Sequence, residues 1–191
     1  RGTIADRMAG EAPANVRTMK GPPVFTVRVN QDFYQMHGTL DSARYESGTW
    51  QMQFVLGLFA QYSLPHQLVA KNERVLVLGA GGGMDVESAL LNGAKRVDAV
   101  EIDPVIPKIS NRYSAAAPYT RPDVVLHIDD ARAFLQKSTD SFDLVVFGFL
   151  DSQALFSYGA SLRLDGYTYT VESFRKAYER VNDGGVMVVS F

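Results

Sequence analysis

The stretch Arg74–Asp103, RVLVLGAGGGMDVESALLNGAKRVDAVEID, constrains the chain more than any other. Val75-Leu76-Val77-Leu78 is an unbroken apolar run, the pattern of a strand buried on both faces of a parallel sheet. Glycines follow at 79, 81, 82 and 83. Asp85 to Leu91 then reads as a helix, with Val86, Ala89 and Leu90 at helical spacing and Asn92-Gly93 as its stop. Val97 to Ile102 reads as a second strand, with Glu101 and Asp103 at its end. A strand, a glycine turn, a helix and a second strand tipped by an acid form one half of a nucleotide-binding sheet.

Each part has a physical task. Glycines let the backbone approach a ligand where a Cβ would collide. An acid about 20 residues further on accepts hydrogen bonds from both hydroxyls of a ribose. The spacing separates two cofactor classes. A dinucleotide fingerprint G-x-G-x-x-G needs glycines at 79, 81 and 84, but position 84 is Met84. Glycines at 79, 81 and 83 give instead the G-x-G-x-G spacing of S-adenosylmethionine-type sites, which disfavours a nicotinamide-dependent oxidoreductase. A glycine turn that binds nothing is the plain alternative, and Glu101 argues against it.

The rest of the chain extends this pattern. Residues 1–23 mix Gly, Ala, Pro and charge without periodicity and read as a tail or linker. Residues 24–70 read as an N-terminal β element and helix: a strand over Val24–Asn30, the run Asp32–Met36, and an amphipathic helix over Thr49–Leu64. In that helix Trp50, Phe54, Leu58 and Tyr62 form the expected core stripe, and Pro65 ends it. Residues 71–191 form the nucleotide-binding domain. Beyond Asp103, a helix with Pro104 in its first turn runs to Tyr113, strands cover Val124–Ile128 and Phe142–Phe147, and helices cover Asp130–Gln136 and Thr170–Val181. A turn at Asn182–Gly185 leads into a fifth strand. Alternating strands and helices predict an α/β fold, a Rossmann-like doubly wound parallel sheet of order 3-2-1-4-5. Its first and fourth strands then flank the switch point where ligands bind.

Composition bounds the function. The chain has 191 residues, a formal charge of −2 and no cysteine, which leaves no basic footprint for nucleic acid and no disulfide or thiolate metal site. His37, His66 and His127 are scattered, without metal-ligand spacing, so no metal is expected. No apolar run reaches the roughly 18 residues that span a bilayer. The first residue is Arg and the last seven read as a strand, so a longer chain is expected on both sides.

At LVLGAGGGMDV, VDAVEIDP, HIDDARAFL and FDLVVFGFLDS the chain resembles the spermidine synthase-like (polyamine aminopropyltransferase-like) branch of the S-adenosylmethionine-dependent methyltransferase superfamily. The resemblance runs from about Phe33 to the C-terminus. In RLDGYTYTVESF it resembles a bacterial subgroup whose domain often follows a membrane-embedded segment. It implies a cofactor site of Gly79, Ala80, Gly81, Gly82 and Gly83, with Glu101 on the ribose, Ile102 against the base, Asp130 on the adenine amino group and the Ala131 amide on a ring nitrogen. Gln35, within the partial match Phe33-Tyr34-Gln35, is a further cofactor contact. Two acids of the family pattern are replaced, by Gly82 in the glycine loop and by Gly148 after the fourth strand. Asp151 remains there as the candidate catalytic acid, and Tyr167 and Tyr169 are candidate lining for the acceptor pocket. Asp85 reads equally as a cap of its helix.

The reading expected from all this is a cytoplasmic transferase using S-adenosylmethionine or its decarboxylated form. Its partner is a small-molecule acceptor, an amine among the candidates, and a homodimer is the assembly considered. The alternative from another class is a non-catalytic nucleotide-sensing domain attached to a membrane segment.

Overall fold

The computed structural model describes residues 25–29, 32–148 and 168–190. The expected tail at 1–23 lies outside these. An antiparallel hairpin, β1 (Phe25–Val29) and β2 (Asp32–His37), comes first and is followed by helix α1 (Trp50–Gln67). The alternating part then runs β3 (Arg74–Leu78), α2 (Met84–Leu91), β4 (Arg96–Glu101), α3 (Val105–Tyr113), β5 (Val124–Ile128), α4 (Ala131–Lys137), β6 (Phe142–Phe147), α5 (Val171–Tyr178) and β7 (Val181–Val189). The sheet order is β5-β4-β3-β6-β7 with every neighbour parallel. Counted along the chain from β3, that is 3-2-1-4-5. The chain therefore moves outward from β3 to β5 and returns to β6, which opens a crevice between the ends of β3 and β6.

Burial explains why β3 and β6 are central. Val75, Val77, Leu144 and Val146 pack with Val86 and Ala89 of α2 on one face. Leu76, Leu78, Val145 and Phe147 pack with Leu135 of α4 and Ala177 of α5 on the other. A strand apolar on both sides has no face to offer water, and each such side chain contributes about 1.5–3 kcal/mol on burial. Asp143 is the polar exception in β6. Its carboxylate accepts from the Glu73 and Arg74 amides, both at 3.0 Å, and from Asn182 Nδ2 at 2.8 Å. Burial acts to raise its pKa, but these bonds outweigh that and hold the carboxyl below its ordinary value.

Expectations about two parts of the chain are corrected. In α1 the stripe of Trp50 and Phe54 is not core: they are 71% and 42% exposed, whereas Val55 is fully buried with Ser63 and His66 nearly so. The helix is apolar on every side, so periodicity does not select its inner face. Polar contacts do: Asn92 Nδ2 donates to Ser63 Oγ at 3.0 Å, and His66 Nδ1 lies 2.9 Å from Asn72 Oδ1. Pro65 does not end the helix, which runs on for two residues to Gln67. At the other end, α5 stops at Tyr178 and residues 182–185 form a bulge inside β7 rather than a turn before it. Phe142 pairs with Val181 and Leu144 with Val186, so the extra residues have no partner in β6. Among the described residues no helix is long and apolar enough to cross a membrane.

Candidate functional site

The turn after β3 is built by its glycines. Gly79, Gly81 and Gly83 have φ of 73°, 51° and 85°, the left-handed region that strains any residue with a Cβ. Gly82 is required for a different reason: a Cβ there would lie 2.7 Å from Cδ2 of His37. The Gly79 and Ala80 amides both donate to Val100 O at 2.9 Å, which anchors the turn to β4.

Glu101 closes the arrangement from the end of β4. One carboxylate oxygen accepts from the Gly81 amide and the other from the Asp103 amide, each at 2.8 Å. The side chain is 5% exposed, and burial raises its carboxyl pKa against the opposing pull of those amides. Ile102 beside it is 59% exposed, an apolar surface at the rim. At the end of β5, Asp130 caps α4 by accepting from the Ala133 amide through Oδ1 at 3.0 Å, and Ala131 is the buried first residue of that helix. Gln35 reaches over the turn from β2, with its Nε2 only 3.0 Å from where a Gly81 Cβ would be. The fold thus gathers Gln35, the glycine turn, Glu101, Ile102, Asp130 and Ala131 along the C-terminal edge of β3, β4 and β5. The edge presents main-chain groups that only glycine can offer, one buried carboxylate and an exposed apolar rim residue.

Tyr169 stands at the same edge, and its hydroxyl lies 3.3 Å from Gly148 O and 3.2 Å from Ser190 O, bracing the ends of β6 and β7. Asp151 and Tyr167 lie outside the described residues.

Four residues that the sequence reading did not assign to the site also shape it. Tyr119 donates to Gly81 O at 2.6 Å, and Ser110 donates to Gly82 O at 2.6 Å. His37 is fully buried against Gly82, with Nε2 3.2 Å from Gln35 Oε1. Burial lowers its pKa to about 4, so the ring is neutral. Asp85 does not cap α2. The cap position is Gly83, without a side-chain bond, and burial pushes the Asp85 carboxyl up to about 7. No periodicity announces these contacts, since each joins elements far apart in the chain.

The comparisons with known proteins agree with this architecture. The profile of the spermine/spermidine synthase domain matches residues 61–190, well over half of the chain. A polyamine aminopropyltransferase of Korarchaeum cryptofilum (strain OPF8) is 27% identical over 119 residues, covering 61% of this chain and 34% of its own. One from Vibrio vulnificus (strain CMCP6) is 41% identical over 70 residues, covering 36% of this chain and 22% of its own. The chain thus spans about a third or less of these relatives. Among solved structures, spermidine synthase from Thermotoga maritima superposes with a TM-score of 0.55 at 17% identity, covering 69% of this chain and 43% of that one. A spermidine synthase in complex with the transition-state analogue AdoDATO gives 0.53 at 15%, covering 69% and 42%. At such identities these two show the shared fold. With the glycine turn and Glu101 lying inside the matched span, the chain belongs to the spermine/spermidine synthase family.

Proposed function

We propose that this chain is the adenosyl-binding part of a transferase that moves an alkyl group from a sulfonium donor to a small acceptor, with an amine as the favoured acceptor class. The observation that carries the reading is Glu101, a buried carboxylate tied to the Gly81 amide beside an exposed Ile102. Each carboxylate oxygen keeps a second lone pair for a ribose hydroxyl. Ile102 offers a flat apolar contact to the base. Asp130 and the Ala131 amide provide polar contacts for the edge of the base, and Gln35 covers the turn from above.

A sulfonium donor supplies a carbon activated for in-line displacement. The protein's task is then to position the reactants and to control the amine's proton. The donor is S-adenosylmethionine or its decarboxylated form, and the curated polyamine aminopropyltransferases support the latter. Asp151 follows β6 in sequence and is the candidate orienting acid for the acceptor.

Calorimetry with S-adenosylmethionine, decarboxylated S-adenosylmethionine, methylthioadenosine and NAD tests the reading. Glu101→Ala should weaken the adenosyl thioether and sulfonium ligands by about 1–3 kcal/mol. Tighter binding of NAD than of every one of them would overturn the assignment. Release of methylthioadenosine or S-adenosylhomocysteine during incubation separates a transferase from a sensor, which produces neither.

A further inference from the structure

Above the glycine turn, the hairpin sets two side chains in series. Gln35 and His37 alternate along β2 and so project from the same face of the strand. His37 is fully buried. Phe25 packs on its ring with centroids 5.2 Å apart, and Cδ2, Cγ and Nε2 all lie within 2.9 Å of where a Gly82 Cβ would be. The ring is thereby held in one place. Its Nε2 lies 3.2 Å from Gln35 Oε1, while its Nδ1 is buried without a partner. A neutral imidazole carries a single proton, and an amide oxygen only accepts. The proton then belongs on Nε2, which donates to Gln35 Oε1.

This bond decides which end of the Gln35 amide is free. Gln35 Nε2 comes closest to the turn, 3.0 Å from the position of a Gly81 Cβ, and makes no hydrogen bond with any of the described residues. An unused amide donor is thus left beside the same Gly81 whose amide donates to Glu101 at 2.8 Å and whose carbonyl accepts from Tyr119 at 2.6 Å. With the other tautomer, His37 Nε2 would accept, the Gln35 amide would turn over, and its oxygen would face the turn instead.

We propose that His37 is a positioning residue for ligand binding: through its Nε2–H it holds the Gln35 amide with the NH2 group toward the glycine turn, where it donates to an acceptor oxygen of the adenosyl ligand. The role rests on the adenosyl reading above and adds the residue that sets the polarity of this contact. The long Gln35 side chain would otherwise lose its rotamer freedom only on binding. A buried ring that orders it in the free protein removes that cost from the ligand. Two acceptors carry the same chemistry. One is a ribose oxygen, shared by methylthioadenosine and S-adenosylhomocysteine; the other is the amino-acid carboxylate that only the second of these has.

Calorimetry with those two ligands tests the role on wild type, His37→Phe, Gln35→Ala and the double variant. His37→Phe keeps an aromatic ring against Phe25 and removes the donor. It should weaken at least one ligand about threefold to tenfold, and Gln35→Ala should weaken the same ligand by at least as much. Because His37 acts through Gln35, the double variant should match Gln35→Ala within about twofold. Fully additive losses would mean that His37 acts only through the shape of the site, and would overturn the proposal. Unchanged affinity of either single variant for both ligands would also overturn it, with the adenosyl reading left standing. A loss confined to S-adenosylhomocysteine identifies the carboxylate as the acceptor, and a loss that includes methylthioadenosine identifies a ribose oxygen. If the wild-type protein binds neither ligand, the adenosyl reading falls and this proposal with it.

A second measurement needs no variant and so does not depend on His37→Phe folding. Nitrogen NMR of the imidazole rings shows which ring nitrogen carries the proton. His37 should be protonated on Nε2 at about pH 7, with and without ligand. A proton on Nδ1 would turn the Gln35 amide over and overturn the proposal.

Discussion

At the scale of single residues, position 82 excludes a side chain for a steric reason. His37 fills the space a side chain would need, with Cδ2, Cγ and Nε2 all within 2.9 Å of the would-be Cβ. Those atoms belong to a rigid ring, fully buried and packed on Phe25 with centroids 5.2 Å apart, so it cannot swing aside. Gly82→Ala should therefore lower stability by about 1–3 kcal/mol, the usual effect of overpacking. In the double variant with His37→Ala the two losses should fall short of additive by about 0.5 kcal/mol or more, measured by urea unfolding. Strict additivity would mean that the two sites do not compete for space. The glycines at 79, 81 and 83 were legible in the sequence, because their spacing alone names the turn. The reason for Gly82 was not, since it depends on a residue 45 positions earlier that only the folded hairpin brings near.

Among the elements, the legible parts were those with one dominant determinant. β5 and β6 lie at the expected bounds because their apolar runs are flanked by turn residues. α1 was legible as a helix but not in its orientation, because Ser63 and His66 choose the buried face through partners in other segments. The start of β7 was hidden for a similar reason. Asn182 and Gly184-Gly185 carry turn chemistry, yet pairing on both sides turns them into a bulge held by Asp143. Asp143 thus joins the start of β3, the body of β6 and the bulge of β7. Asp143→Ala should cost about 2–4 kcal/mol, because two main-chain amides and one side-chain amide lose a charged acceptor together. The folded-state pKa of Asp143 is depressed, so its contribution is present above the ordinary carboxylate range and is lost as the pH falls through the folded value. The difference between wild type and variant should accordingly shrink in acid, which urea midpoints at pH 7 and pH 3 can show.

For the molecule as a whole, stability and the candidate site are set against each other at the C-terminal edge of the sheet. Asp85 has its pKa raised by burial from 3.8 to about 7, so rising pH removes folding free energy across that interval. In the ligand-free protein Asp85→Asn should be more stable than wild type by about 1–3 kcal/mol at pH 8, with little gain near pH 4. The comparison is made at each pH, so other titrating groups cancel. A loss of stability at pH 8 would mean that the carboxylate holds the fold together. A gain would show that the buried charge costs the scaffold folding free energy.

The Glu101 bridge described above has a thermodynamic consequence. Its two oxygens already grip the Gly81 and Asp103 amides, and Tyr119 and Ser110 hold the carbonyls of the same turn. A ligand reaching this edge meets a turn whose conformational entropy was lost when the chain folded. Little of its interaction energy is then spent on ordering protein, and the heat capacity change of binding follows from the surface the ligand itself buries.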